Sequence, residues 1–215
     1  MRFRTVTGVQ TCALPIYKLL ADLAGQPMYT YILERLIRVV DARPDTDDLI
    51  MVCRPGEIYT KHRHDKRVFC VLNPHPEEGI ASSMKIGLTT AGCLVASEFR
   101  SYVGKYGQVS STPLEDSHVL VCFVADEPYL QEDTINAFLD GFKASGKSMG
   151  AISVNGKTYN PCCFRDDRWA ELSELEGDTG GKQLIRLNPE DVYLYPLPEE
   201  RAKEVEDIDY KRPHP

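Results

Sequence analysis

Seven consecutive apolar residues, Val119–Ala125, lead directly into a carboxylate at Asp126. The run V-L-V-C-F-V offers no polar face to water, so Val119–Val124 reads as a strand covered on both sides, the pattern of a central parallel strand. It is far too short to span a bilayer. Candidate strands and helices alternate along the rest of the chain. Met28, Ile32, Leu36 and Val39 sit at helical spacing within Gly25–Val40, with Pro27 near the first turn. Leu49–Cys53 and Val68–Leu72 read as short buried strands, and Gly79–Leu88 as a helix led by Ser82 and Ser83. Glu132–Ala144 reads as a helix stopping near Gly146, and Met149–Val154 as a strand before an Asn155-Gly156 turn. Asp167–Leu175 follows as a helix and Val192–Leu194 as a late strand, while Ser97–Leu114 is loop-rich and weakly patterned. Such alternation predicts an α/β fold, a three-layer doubly wound and mostly parallel sheet in one domain.

Charge narrows the partners. Lys and Arg total 25 against 32 Asp and Glu, a net −7. That balance works against a general nucleic-acid or anionic-membrane binder, which needs a broad positive field. Seven cysteines without a C-x-x-C pair fit reduced, mostly buried thiols of a cytoplasmic protein. Cys162 and Cys163 are adjacent, and neighbours on a strand point to opposite faces. His62 and His64 lie among Lys61, Arg63, Lys66 and Arg67 with no third ligand nearby, and are expected on solvated surface.

The first residues stand apart. Val6–Ile16, VTGVQTCALPI, resembles letter for letter one translated frame of a sequencing-library adapter. Met1–Ile16 is therefore expected to be a non-native segment ahead of a domain over residues 17–215. The alternating pattern of Phe3–Val9 can nevertheless mimic a strand and take the slot of the first one.

From Lys18 onward an ordered series of motifs appears: Lys18-Leu19-Leu20, Gly25 with Pro27, Asn73, Gly79-Ile80-Ala81-Ser82-Ser83, Asp126-Glu127-Pro128, Asn160-Pro161, Gly177-Asp178-Thr179-Gly180 and Asp207-Ile208-Asp209. Together they resemble the molybdenum cofactor cytidylyltransferases over essentially all of Lys18–Tyr210. The Gly-rich loop that precedes K-L-L in that family, and which gives backbone N–H groups and an Arg to the triphosphate, has no counterpart here. Tyr210-Lys211-Arg212-Pro213 also replaces the family's T-P-x-D ending.

The resemblance implies a Rossmann-like nucleotidyltransferase fold. It also implies an activity: transfer of a cytidylyl group from CTP to the terminal phosphate of molybdopterin, with a guanylyltransferase, a cytidylyltransferase for another phosphate or a non-catalytic nucleotide-binding module as alternatives. Mg²⁺ is the implied cofactor, and a molybdoenzyme or its chaperone an implied partner. Asp126 becomes the metal-binding Asp, at the strand end where open α/β sheets bind ligands; read alone, it is a turn-former before Pro128. Lys18 becomes a catalytic, phosphate-neutralising cation. Asn73, Gly79, Ser82 and Ser83 become the nucleotide-binding segment, against an alternative as loop and helix-cap residues. Asn160, Pro161, Gly177, Asp178, Gly180 and Lys182 fall on the acceptor side, against an alternative as turns. Asp209, with Asp207 nearby, becomes a second metal ligand or acceptor contact, against a solvated acidic tail.

Overall fold

The computed structural model describes residues 2–8, 17–44, 47–106 and 117–208, and side chains throughout these except at 2–8, 17 and 98–106. In chain order the elements are β1 (Arg2–Gly8), α1 (Tyr17–Leu20), a two-stranded ribbon of β2 (Asp22–Leu23) and β3 (Gln26–Pro27), α2 (Met28–Asp41), β4 (Asp48–Cys53), α3 (Glu57–His62), β5 (Phe69–Leu72), α4 (Ile80–Tyr106), β6 (His118–Val124), α5 (Glu132–Ser145), β7 (Met149–Val154), β8 (Lys157–Arg165), α6 (Trp169–Ser173), α7 (Lys182–Leu187) and β9 (Val192–Pro196). A 3-10 segment, Glu199–Val205, follows.

Seven strands form one sheet in the order β5-β4-β1-β6-β8-β7-β9. β5, β4, β1 and β6 run parallel, as do β7 and β9. β8 runs antiparallel between β6 and β7. This is a doubly wound, mostly parallel α/β sheet, and Arg2–Gly8 takes the slot between β4 and β6.

Strand alternation sorts the core onto two faces. Met51, Cys53, Val119, Val121, Phe123 and Cys163 pack with α2 and α5 on one side. Ile50, Val52, Leu120, Ala151, Cys162 and Phe164 pack with α4, α6 and α7 on the other. Cys162 and Cys163 thus fall on opposite faces, and all six described cysteines are free thiols. On α2, Met28, Ile32, Leu36 and Val39 are buried together, with Pro27 as the N-cap residue.

Three expectations are corrected. α4 continues through Ser97 to Tyr106, where loop was expected; residues 107–116 lie outside the described residues. Ile80–Ser97 within it is long and apolar enough by length and composition to cross a membrane, yet Ala81, Leu88 and Ala91 pack into the core. His62 is buried, not solvated: its Nε2 lies 3.0 Å from the Tyr29 hydroxyl, and burial holds its basicity below the ordinary imidazole value. Finally, Asn160-Pro161 is not a turn. It lies inside β8 with a cis peptide bond, where the register shifts between Ala151 and Ile152 of β7; such a bulge accommodates a residue without an N–H.

Candidate active site

Asp126 stands two residues beyond the end of β6, at the edge of the sheet where the parallel strands β4, β5 and β6 all finish. Ligands of open α/β sheets bind at that edge. Lys18 of α1 reaches it from the other end of the described domain: its Nζ lies 3.0 Å from Asp126 Oδ2, with 9% and 23% of the side chains exposed. The backbone of the turn is held as well. Ile208 N–H donates to the Asp126 carbonyl at 3.0 Å, and Arg35 of α2 donates to the Pro128 carbonyl.

Beside Asp126 opens a cleft of about 700 Å³, within the size range of small-ligand pockets. Ser83, Asp126, Asn160, Asp178, Gly180 and Lys182 line it. Motifs read from the sequence as nucleotide-side and acceptor-side therefore share one cavity. Their meeting point is a backbone contact. The Gly177 carbonyl accepts from Ala81 N–H at 3.0 Å, and a Cβ on Gly79 would stand 2.5 Å from that carbonyl and 2.7 Å from Asp178 Oδ1. Gly79 also has φ +89°, so both space and conformation require glycine there.

Other candidates stand behind the lining. Asn73 is buried and its amide is engaged within the protein: Nδ2 donates to Ser82 Oγ at 2.7 Å and Ser83 Oγ at 2.9 Å, and Oδ1 accepts from His75 N–H at 2.9 Å. That fixes the entry to α4 and sets Ser83 on the cleft wall. Pro161 is buried in β8 behind Asn160. Asp207 lines the cleft; Asp209 lies outside the described residues.

Several lining residues were not singled out from the sequence. Lys157, Tyr159 and Arg186 are among them; Cys122 and Cys162, read from the sequence only as thiols, also line the cleft as a cross-strand pair of β6 and β8. Burial pushes the Cys162 thiol up to about 12. Glu127, noted only as part of a motif, is 4% exposed and lines the cleft. Burial first, and then the neighbouring Asp126, push its carboxyl well above the usual carboxylate range. Glu204 is also missed: buried in the 3-10 segment, it accepts from Gln131 N–H at the start of α5 and from Thr134 Oγ1. Arg201 pairs with Glu204 and Asp133. This brace carries the chain on to Asp207.

For a divalent cation, the carboxylates of Asp126 and Asp207 both line the cleft. No cluster of three or more His, Cys, Asp or Glu suited to a metal occurs among the described residues. Mg²⁺ is commonly held by one or two carboxylates with substrate phosphates and water completing its shell, so the residues present fit that kind of site.

Residues 17–192 match the family model described as MobA-like NTP transferase domain. The chain belongs to that family. Structural likeness agrees on the fold. Rv0371c from Mycobacterium tuberculosis in complex with manganese superposes with a TM-score of 0.61 at 16% identity, covering 92% of this chain and 88% of that one. The 4-diphosphocytidyl-2C-methyl-D-erythritol synthase of Anaerococcus prevotii gives 0.63 at 12% identity, covering 96% and 90%. A CMP:2-keto-3-deoxy-manno-octonic acid synthetase complexed with CTP gives 0.60 at 11% identity, covering 92% and 90%. No curated protein sequence matches. The MobA-like domain is that of an enzyme of nucleotidyltransferase type.

Proposed function

We propose that this MobA-like domain transfers a cytidylyl group from CTP to the terminal phosphate of a molybdopterin-type acceptor. The observation that carries the reading is that Ser83, Asp126, Asn160, Asp178 and Lys182 line one and the same cleft. Two phosphorylated substrates meeting in one cavity need no side-chain nucleophile, because positioning and charge stabilisation supply most of the catalysis of phosphoryl transfer. Two structural neighbours carry cytidylyl chemistry or CTP in their names, which supports CTP as donor. The ordered motifs from Lys18 to Asp209 support molybdopterin as acceptor.

An oxygen of the acceptor phosphate forms the new bond to the α-phosphorus of CTP, and the α–β bridging P–O bond breaks to release pyrophosphate. Asp126 and Asp207 would hold Mg²⁺, which when bound neutralises phosphate charge as the transition state forms; the manganese complex of one neighbour supports a divalent ion here. Lys18 orients Asp126 and adds positive charge beside the phosphates. Lys182 and Arg186 hold the anionic part of the acceptor, with Asn160 and the Gly177-Asp178-Thr179-Gly180 turn shaping its seat. Residues 17–215 form the transferase domain, and Met1–Ile16 is foreign to it.

The test is pyrophosphate release from CTP or GTP with Mg²⁺ and molybdopterin. Release with CTP and molybdopterin is expected. A preference for GTP, or release only with a different phosphate acceptor, overturns the reading in favour of a guanylyltransferase or another cytidylyltransferase.

A further inference from the structure

Glu127 has no task in the transfer described above. It is buried in the wall of the cleft, and among the described residues its carboxyl takes one hydrogen bond, from Asn160 Nδ2 at 3.3 Å. Removing a carboxyl group from water is costly unless hydrogen bonds replace those lost, and one long bond replaces few of them. The remaining hydrogen-bonding capacity is available to whatever fills the cleft. Asp126 and Asp207 act on Glu127 as like charges and Lys182 as an opposite one. A carboxyl group accepts hydrogen bonds and does not pair with a bare phosphate, so the group Glu127 itself meets is a hydrogen-bond donor.

We infer that Glu127 is a specificity-determining residue for the acceptor, binding the amino-pyrimidinone edge of a pterin ring through two parallel hydrogen bonds. The inference rests on the molybdopterin reading and names the part of that acceptor which Glu127 recognises. A carboxyl group suits this edge in either protonation state. As an anion it accepts from ring N3–H and the 2-amino group; as an acid it accepts from the 2-amino group and donates to N1. Two-point pairing of this kind gives orientation as well as affinity. The Tyr159 ring and the Met84 side chain line the same cleft and give the flat ring an apolar surface. Asn160 holds Glu127 from the side and is a positioning residue for it.

The test is fluorescence titration of the wild-type chain, Glu127→Ala and Glu127→Gln with pterin and with lumazine, which carries a 2-oxo group in place of the 2-amino. The wild type should bind pterin at least about tenfold more tightly than lumazine, since unmatched buried polar groups reject an analogue strongly. Glu127→Ala should lose that preference, with pterin falling to the level of lumazine, and the near-isosteric Glu127→Gln should keep part of it. Equal binding of the two rings by the wild type overturns the inference, even if Glu127→Ala fails to fold. So does unchanged pterin affinity in Glu127→Ala, or a loss that falls on CTP and spares pterin. The two readings fail separately. An intact Glu127-dependent pterin preference without pyrophosphate release from molybdopterin counts against the transfer reaction alone. Release from molybdopterin with an unchanged acceptor KM in Glu127→Ala counts against the role of Glu127 alone.

Discussion

Gly79 packs so closely on Gly177 that a single methyl group at position 79 would stand 2.5 Å from the Gly177 carbonyl. The two glycines are almost a hundred residues apart in sequence, yet their contact joins the start of α4 to the turn before α7 and so sets the width of the cleft. Gly79→Ala combines a positive φ with this clash and should destabilise the fold by about 3 kcal/mol. Gly177→Ala has φ +59° but open space around it and should cost only about 1 kcal/mol. Denaturant unfolding of the two variants checks the order.

Asp126→Asn should lower turnover by at least about a hundredfold while leaving the fold intact, because the carboxylate proposed to hold the cation, and paired with Lys18, is replaced by a neutral isostere. Lys18→Ala should also lower turnover, and the double variant should be less than additive, since the two groups form one contact. Additive losses would show that they act separately.

Loss of Glu204 should act at a distance. Glu204→Ala leaves the Gln131 N–H without its side-chain acceptor and takes from Arg201 one of its two acidic partners, Asp133 remaining. The expected destabilisation is about 2 kcal/mol, read as a lower melting temperature. The segment that carries Asp207 should become more accessible to hydrogen exchange.

Asp191 gives a pH signature. Its carboxyl is held down at about 2, first by hydrogen bonding from Ser148 and then from Arg168, against about 3.9 when unfolded. A depressed folded value means that the contribution is present above the unfolded value and fades as pH falls toward 2. Asp191→Asn should therefore lower the melting temperature at neutral pH, and the gap from wild type should narrow between about pH 4 and pH 2. A gap that is constant over that window would assign the stability to packing.

Replacing residues 8–14 with a Gly-rich, Arg-containing phosphate loop should strengthen CTP binding about a hundredfold, equivalent to about 3 kcal/mol from several charge-assisted hydrogen bonds. Titration of both chains in one Mg²⁺ buffer measures it. Equal affinities would mean that Val6–Ile16 already serves as a working loop.

Much of the sheet was legible because its strands carry strong local patterns. Val119–Val124 is apolar throughout, and Asn155-Gly156 is a hairpin turn whose residues do adopt positive φ. β8 was hidden because Lys157, Thr158, Asn160 and Pro161 look like loop chemistry; Lys157 and Thr158 are strand through pairing with β7 alone, and pairing on both sides begins only at Cys162. His62 was misplaced for a related reason. Its basic neighbours in sequence point outward, whereas the partner that buries it, Tyr29, lies on a different helix. At the site, Asp126 stood out through its position after a strand. Glu127 and Glu204 did not, because an acidic residue among acidic neighbours reads as solvated until the fold shows what encloses it.

The insertion of β8 between β6 and β7 has a consequence for how the chain assembles. After β6, the connection through α5 must skip one strand position and place β7 two strand widths away, about 10 Å, leaving a gap that nothing upstream can fill. A hairpin of β7 and β8 forms from local contacts within microseconds, whereas closing the gap requires that hairpin to dock as a unit against the exposed edge of β6. Until residue 165 is available, the strand with the most continuous apolar surface in the protein has an unpaired backbone along one side. A nascent chain halted before that point would therefore be the form most prone to stick to other copies of itself.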